Sequence, residues 1–362
     1  ETCGQEAQTI HRLLETKLDP LTGQLAFTKN QDDPLAADAV IVDETSMVDV
    51  SLMAALMAAL RGDCRLVLVG DPDQLPSVGP GNVLDHLLRS GVVPAVTLTE
   101  IFRQARQSAI VMNAHGVNQG QPPDLDNRGR DFFYMGRQSA ARTVDTIVEL
   151  CLTRLPHNMG VPADQIQVLS PTRRRGAGTA TLNRALQAAL NPPAPDKKER
   201  AFGQFVFREG DRVMQVKNNY DLFWENPETG EKDLGVFNGD IGVILEVDAG
   251  GLTVSFDGRL VVYPAQMLNE LELAYAITVH KAQGSEYRGV VLALNDVPPT
   301  LLSRGVLYTA ITRARELFVV VGDGELMARM TANDRQARRY SALRTRLLRE
   351  LGELEGKGQD PS

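Results

Sequence analysis

A chain of 362 residues is long enough for two or three domains, each burying a core of its own. Hydrophobic residues at 43% and charged residues at 23% exclude a disordered or collagen-like chain, and no run approaches the 18 apolar residues of a spanning helix. A net charge of −8 excludes a uniformly basic nucleic-acid coat but leaves room for a basic groove, with clustered arginines at 173–175, at Arg313 and Arg315, and at Arg335, Arg338 and Arg339.

The three cysteines, Cys3, Cys64 and Cys151, have no metal-ligand spacing and read as reduced thiols of a cytoplasmic protein. There is no signal-peptide pattern, and Glu1 opens the sequence in mid-pattern, so a longer polypeptide is expected.

In chain order, QEAQTIHRLLET over 5–16 predicts a short helix, and the turn-rich stretch after it a small β-hairpin or loop. DAVIVDE predicts a buried parallel strand that delivers Asp43 and Glu44 to its carboxyl edge. SLMAALMAALR, Ser51 to Arg61, is helical in composition, and CRLVLVGDPDQLPSVGPG is a second buried strand running into a polar loop. Strand, helix and strand form a βαβ unit, whose ligands bind at the carboxyl ends.

A helix over about 140–156 precedes a third strand, QIQVLSPTRR, which ends in a basic loop. NPPAPDKKER marks a boundary, and the short pieces between about 200 and 268, separated by Gly and Asp turns, predict a small antiparallel barrel. The doubly wound pattern returns with AYAITVHKAQGSE, GVVLAL and LYTAITRARELFVVVGD, followed by an Arg- and Glu-rich C-terminal helix.

The chemistry concentrates at the first two strand ends. Asp43 is placed to hold the Mg²⁺ of a bound nucleotide, directly or through water, and Glu44 to orient or deprotonate the attacking water. An N-cap is the plainer reading of such acids. The neighbouring loop GDPDQLP decides between them: Gly70 allows a tight turn, and Asp71 and Gln74 complete a polar ring in which Gln74 reaches a γ-phosphate or its water.

VIVDE followed by GDPDQLP resembles motifs II and III of superfamily 1 helicases, and LTEIFRQ resembles motif IV, which implies a γ-phosphate contact for Arg103. AITVHKAQGSE resembles motif V. Its Thr278 and His280 present hydrogen-bonding side chains to a phosphodiester backbone, Gly284 permits close approach to a nucleotide, and Glu286 holds a ribose hydroxyl or a neighbouring arginine. LYTAITRAR resembles motif VI, with Arg313 in the arginine-finger position across a domain cleft and Arg315 bonding within its own domain; such fingers contribute on the order of 10³ to 10⁵ in rate.

EAQTIHRLL, SPTRRRGAGTATLN, NNYD and VFNGDIG sharpen the resemblance to the RecD-like, 5′-to-3′ branch, over about 5–323. It implies an α/β fold of two RecA-like parallel-sheet domains, the first incomplete, with the barrel inserted in the second. The expected bounds are 1–138, with a duplex-splitting pin at 17–37, then 139–325 with the barrel at 203–268, and a C-terminal helix at 326–362.

The implied function is ATP- and Mg²⁺-dependent translocation on single-stranded DNA and duplex junctions in repair or recombination, with nuclease or repair-complex subunits as partners and no membrane. His11, Thr172, Arg173, Asn238, Thr278 and His280 are the nucleic-acid contacts, and Phe223, Trp224 and Phe237 the candidate stacking platforms. No GxxxxGK[ST] loop occurs in the chain, so an inactive fragment is expected, truncated before or at motif Ia with the loop preceding residue 1. A non-catalytic nucleic-acid-binding module and an RNA helicase of the same superfamily are the alternatives.

Overall fold

A computed structural model describes residues 7–18, 25–99, 107–334 and 341–357. The chain divides into two compact units, Glu1–Glu100 with Arg335–Ser362, and Ile101–Asp334.

The first unit opens with α1 (Ile10–Leu13), capped by the Thr9 hydroxyl, and a hairpin of β1 (Thr16–Leu18) antiparallel to β2 (Leu25–Phe27). The parallel pair β3 (Ala39–Val42) and β4 (Arg65–Leu68) brackets α2 (Val50–Ala59). Asp49 starts α2 by accepting the Leu52 amide at 2.8 Å. Met53, Leu56 and Ala59, at helical spacing, pack on Val40 and Val42 in the core of this unit.

The expectation of strands buried on both faces holds on one face only. Burial alternates along β3, and Ile41 and Val67 are 71% and 41% exposed, because among the described residues no element covers their side of the pair. α3 (Val83–Ser90) follows, ended by Gly91 in the left-handed conformation at φ +68°.

In the second unit α4 (Ala109–Asn118) leads to β5 (Phe132–Gly136). The helix expected over 140–156 is α5 (Ala140–Glu149), a π turn at Leu150–Arg154 and α6 (Leu155–Met159), in which Cys151 is buried. β6 (Ile166–Ser170) and α7 (Thr179–Leu190) complete the approach to the inserted region.

That region contains β7 (Glu199–Phe202), β8 (Phe205–Arg208), β9 (Arg212–Gln215), β10 (Asn219–Glu225), β11 (Lys232–Val236), β12 (Ile241–Val247), β13 (Gly251–Phe256), β14 (Arg259–Pro264) and β15 (Leu271–Leu273). β7 and β8 form a hairpin. The other seven make an antiparallel sheet in the order β11-β10-β14-β13-β12-β9-β15, which is the form taken by the expected barrel.

The chain then returns through β16 (Ala276–Thr278), β17 (Tyr287–Leu294), α8 (Arg304–Thr312), β18 (Ala314–Gly322) and α9 (Gly324–Ala332). The second unit's parallel sheet has the order β16-β6-β17-β18-β5. Its central strands are continuous apolar runs, as burial on both faces requires.

β5 is the edge strand of this sheet, so the second unit begins well before the boundary expected near 138. The C-terminal segment is also two elements and not one helix. α9 ends at Asn333 in extended conformation, and α10 (Leu343–Lys357) packs on α3 in the first unit, where Leu343 joins the core.

Candidate functional site

The carboxyl ends of β3 and β4 build the first part of the site. Val42 pairs with Leu68, so the residues that follow leave one edge together. The Val69 amide donates to the Val42 carbonyl at 2.8 Å, and the Thr45 amide to the Val69 carbonyl at 2.9 Å, which fastens the two loops to each other. Glu44 turns through the left-handed region at φ 50°, and its amide donates to Asp43 Oδ1 at 2.8 Å, which orients that carboxylate.

Gly70 serves closeness and not turning. It has no positive φ, but a Cβ there would lie 3.0 Å from the Thr45 nitrogen and 3.2 Å from that of Ser46. On the same loop Gln74 Nε2 donates to Asp71 Oδ2 at 3.3 Å, while Gln74 Oε1 is buried with no hydrogen-bond partner. A buried acceptor without a donor costs about 1–3 kcal/mol, so this oxygen suits a ligand or water that donates to it.

Of the other residues expected in the first unit, His11 is half-buried with its ring centroid 5.8 Å from that of Phe27. Burial lowers its pKa, and Asp49 opposes the shift. Arg103, Cys3, residues 19–24 of the expected pin and the cluster Arg335, Arg338 and Arg339 lie outside the described residues.

The second unit gathers the motif V and motif VI residues into one loop system. Thr278 caps the short 3-10 turn Val279–Ala282 by accepting the Lys281 amide at 3.4 Å, and His280 sits half-buried within that turn. Gly284 is left-handed at φ +75°, so backbone conformation alone calls for glycine there. Glu286 takes the neighbouring arginine: its carboxylate pairs with Arg315 at 2.8 Å, both side chains being exposed. Arg313, at the end of α8, is only 3% exposed; it donates to the Ser285 carbonyl at 3.1 Å and to the Thr312 hydroxyl at 3.3 Å, and its Nε is unpaired.

The loop after β6 splits the expected phosphate contacts. Thr172 is 7% exposed, its amide donating to Ser170 Oγ, whereas Arg173 is half-exposed. A cavity of about 20 Å³ lies beside Arg173, Asn183, Glu272, Thr278 and Lys281. Glu272 pairs with Arg173 and stands 3.6 Å from Lys281 Nζ. Burial lowers the Lys281 pKa, the Arg173 charge lowers it further, and the Glu272 carboxylate opposes both. Asn183 ties β15 to β16 by donating to the Leu273 and Ala276 carbonyls at 3.0 and 2.9 Å and accepting the Ala276 amide at 2.7 Å.

Lys281, Glu272 and Asn183 were not legible as site residues in the sequence. Lys281 sits inside AITVHKAQGSE and was available as a basic residue beside Thr278; the other two carry no local signal.

Asn238 is exposed in the turn after β11, where its amide donates to Asn218 Oδ1 at 2.9 Å, and it does not line that cavity. Of the aromatic candidates, Phe223 is 51% exposed. Trp224 is covered by Arg259, 5.6 Å from its ring centroid, and Phe237 packs edge-on against Tyr220. Among the described residues no group of three or more His, Cys, Asp or Glu side chains is arranged to hold a metal ion, and no helix is long and apolar enough to cross a membrane.

Comparison with known proteins agrees with this arrangement. Family models match as an AAA domain over residues 1–131, an ATP-dependent RecD-like DNA helicase SH3 domain over 182–256 and a UvrD-like helicase C-terminal domain over 273–321. The chain is 36% identical over 343 residues to the ATP-dependent RecD2 DNA helicase of Deinococcus radiodurans, covering 95% of this chain and 44% of that protein. The chain carries a RecD-like helicase SH3 domain and a UvrD-like helicase C-terminal domain and is a homologue of RecD2 over 95% of its length. It is also 31% identical to the RecBCD enzyme subunit RecD of Mycolicibacterium smegmatis, covering 95% of this chain and 60% of the relative.

The chain thus spans less than two thirds of either relative's length. A solved Pif1 helicase from Bacteroides in complex with ADP-AlF3 and ssDNA aligns with 96% of this chain and 84% of its own, at 17% identity and a TM-score of 0.49. The RecA-like assignment rests on the parallel sheets and the matched RecD-like and UvrD-like domains.

Proposed function

We propose that the protein is an ATP-driven helicase that translocates on single-stranded DNA, in the 5′-to-3′ direction, and serves DNA repair or recombination in the cytoplasm. One observation carries the reading: Asp43, Glu44, Asp71 and Gln74 leave one edge of a parallel strand pair, with the Gln74 carbonyl buried and unpartnered. The RecD2 relative is an ATP-dependent DNA helicase, which supports ATP as the cofactor and DNA as the substrate.

The residues fit a nucleotide. ATP with Mg²⁺ supplies the transferable phosphoryl group and part of its charge neutralisation. Asp43 is the residue to hold the metal, its carboxylate already oriented by the Glu44 amide. Glu44 orients the attacking water and takes its proton, and Gln74 with Asp71 senses the terminal phosphate. Gly70 keeps the loop floor clear of a side chain. Arg313 supplies a guanidinium for the charge that develops on the phosphoryl group, and Arg103 a second one.

For the nucleic acid, Arg173, Thr278 and His280 contact phosphates, with His11, Thr172 and Asn238 as further contacts and exposed Phe223 as a stacking platform. The hairpin of β1 and β2 is the candidate pin at the junction. The M. smegmatis relative is named as a RecBCD subunit, which supports nuclease or repair-complex subunits as partners.

The test is ATP hydrolysis stimulated by single-stranded DNA, in a polypeptide that also carries a phosphate-binding loop. Glu44→Ala and Arg313→Ala are each expected to remove at least about a hundredfold of the stimulated rate. Rates unchanged in both variants overturn the reading, and stimulation by RNA oligonucleotides alone moves the substrate to RNA.

A further inference from the structure

Within the second unit, one residue at the small cavity has the wrong charge for a phosphate site. Glu272 offers Oε1 to Arg173 and Oε2 to Lys281, the latter at 3.6 Å. A phosphodiester would present its two non-bridging oxygens to a pair of cations in the same bridging manner. Arg173 lies 99 residues from Glu272, so no local turn brings that pair together, and Lys281 follows Glu272 by way of β16, in the 3-10 turn Val279–Ala282.

The carboxylate also has little freedom to retreat. β15 is held in register with β9, with Glu272 opposite Met214, and its neighbours Leu271 and Leu273 are buried. Asn183 fixes the adjoining backbone on the other side. Only the side chain of Glu272 can swing. Both cations reach solvent, Arg173 being about half exposed and Lys281 partly so.

We propose that Glu272 is a phosphate surrogate, a positioning residue that bridges Arg173 and Lys281 when no strand is bound and competes with the DNA backbone for them when one is. The inference rests on the reading of this chain as a single-strand-binding motor. Without the carboxylate, two neighbouring cations would repel each other, one of them in a partly desolvated position, until an entering phosphate neutralised them. With it, each phosphate that enters displaces an internal anion, which weakens the grip. A motor that steps along a strand needs a grip that releases, and Glu272 supplies the competing charge that allows release.

The experiment measures binding of a fluorescent oligodeoxythymidylate to the 362-residue chain by anisotropy over a range of salt concentrations. Glu272→Gln is expected to bind about three- to tenfold more tightly than wild type, with log K against log salt steeper by about 0.7, the change for one further phosphate neutralised on single-stranded DNA. In an Arg173→Ala, Lys281→Ala background the same change should give no gain, which a merely structural role for Glu272 would not predict.

Equal or weaker binding by a Glu272→Gln chain that melts like wild type overturns the proposal, as does a gain that persists without the two cations. If Glu272→Gln does not fold, Glu272→Asp withdraws the same charge by one methylene; tighter binding then supports the proposal and unchanged binding overturns it. Wild-type binding separates the two levels. A chain that binds no oligonucleotide at low salt ends both the motor reading and the surrogate, whereas wild-type binding that Arg173→Ala and Lys281→Ala weaken but Glu272→Gln leaves unimproved ends the surrogate alone.

Discussion

The Arg313 guanidinium donates to the backbone carbonyl of Ser285 at 3.1 Å, which ties the end of α8 to the loop that carries Gly284 and Glu286. The same side chain reaches the Thr312 hydroxyl, so two acceptors on different parts of the unit share one planar fork. Arg313→Lys keeps the charge but cannot span both. DNA-stimulated hydrolysis is expected to fall on the order of 10³-fold in Arg313→Ala and to recover little in Arg313→Lys. Thermal melting should report a loss of about 1–3 kcal/mol from the missing buried hydrogen bonds in the alanine variant. A lysine variant with the wild-type rate would show that charge alone matters.

Gly70 and Gly62 make a paired test of close approach. A Cβ at Gly70 meets Leu84 Cδ2 and the Thr45 nitrogen, both at 3.0 Å, while one at Gly62 meets nothing within 4 Å. Gly70→Ala is expected to cost about 1–3 kcal/mol by overpacking, and Gly62→Ala to stay within about 0.5 kcal/mol. Urea melts of both variants check this, and equal midpoints would mean that the loop relaxes freely.

His11 makes the first unit sensitive to acid. Its folded pKa lies below the ordinary value of 6.5, chiefly through burial, so the unfolded chain binds the proton more readily. Stability from this group is therefore complete above 6.5 and is lost as pH falls through the window between 6.5 and the lowered folded value. Denaturation followed between pH 7 and pH 5 should show a decline that His11→Gln flattens. An identical slope in that variant assigns the acid sensitivity elsewhere.

The two described cysteines should differ in reactivity. Burial pushes the Cys151 thiol up to about 12, whereas Cys64 is only half-buried. At pH 8 the thiolate fraction of Cys151 is on the order of 10⁻⁴, and access to it is closed as well. A chromogenic disulfide reagent should label Cys64 in the folded chain and reach Cys151 only after denaturant is added. Rapid labelling of Cys151 in the native state would contradict its packing in the π turn.

Much of the architecture was legible because its signals are local. Continuous apolar runs such as GVVLAL mark strands covered on both faces, and DAVIVDE and GDPDQLP end in the polar residues that a parallel sheet collects at its carboxyl edge. The same reasoning overstated β3 and β4, since Ile41 and Val67 look like core residues in any apolar run and only the neighbouring elements decide whether a face is covered. It also assigned Gly70 to a turn, when the reason for glycine is the approach of another loop.

The sequence by itself determined the α/β class, the order of the motifs and the acidic strand end, because period, composition and spacing act within a few residues. Tertiary structure decided what depends on residues far apart. α10 joins α3 in the first unit and does not continue α9, Glu286 takes Arg315, and Glu272 bridges Arg173 and Lys281. Apart from Lys281, nine residues from Glu272, each of these partners is chosen by packing and charge across a long stretch of chain, and no local pattern encodes which cation a carboxylate will meet.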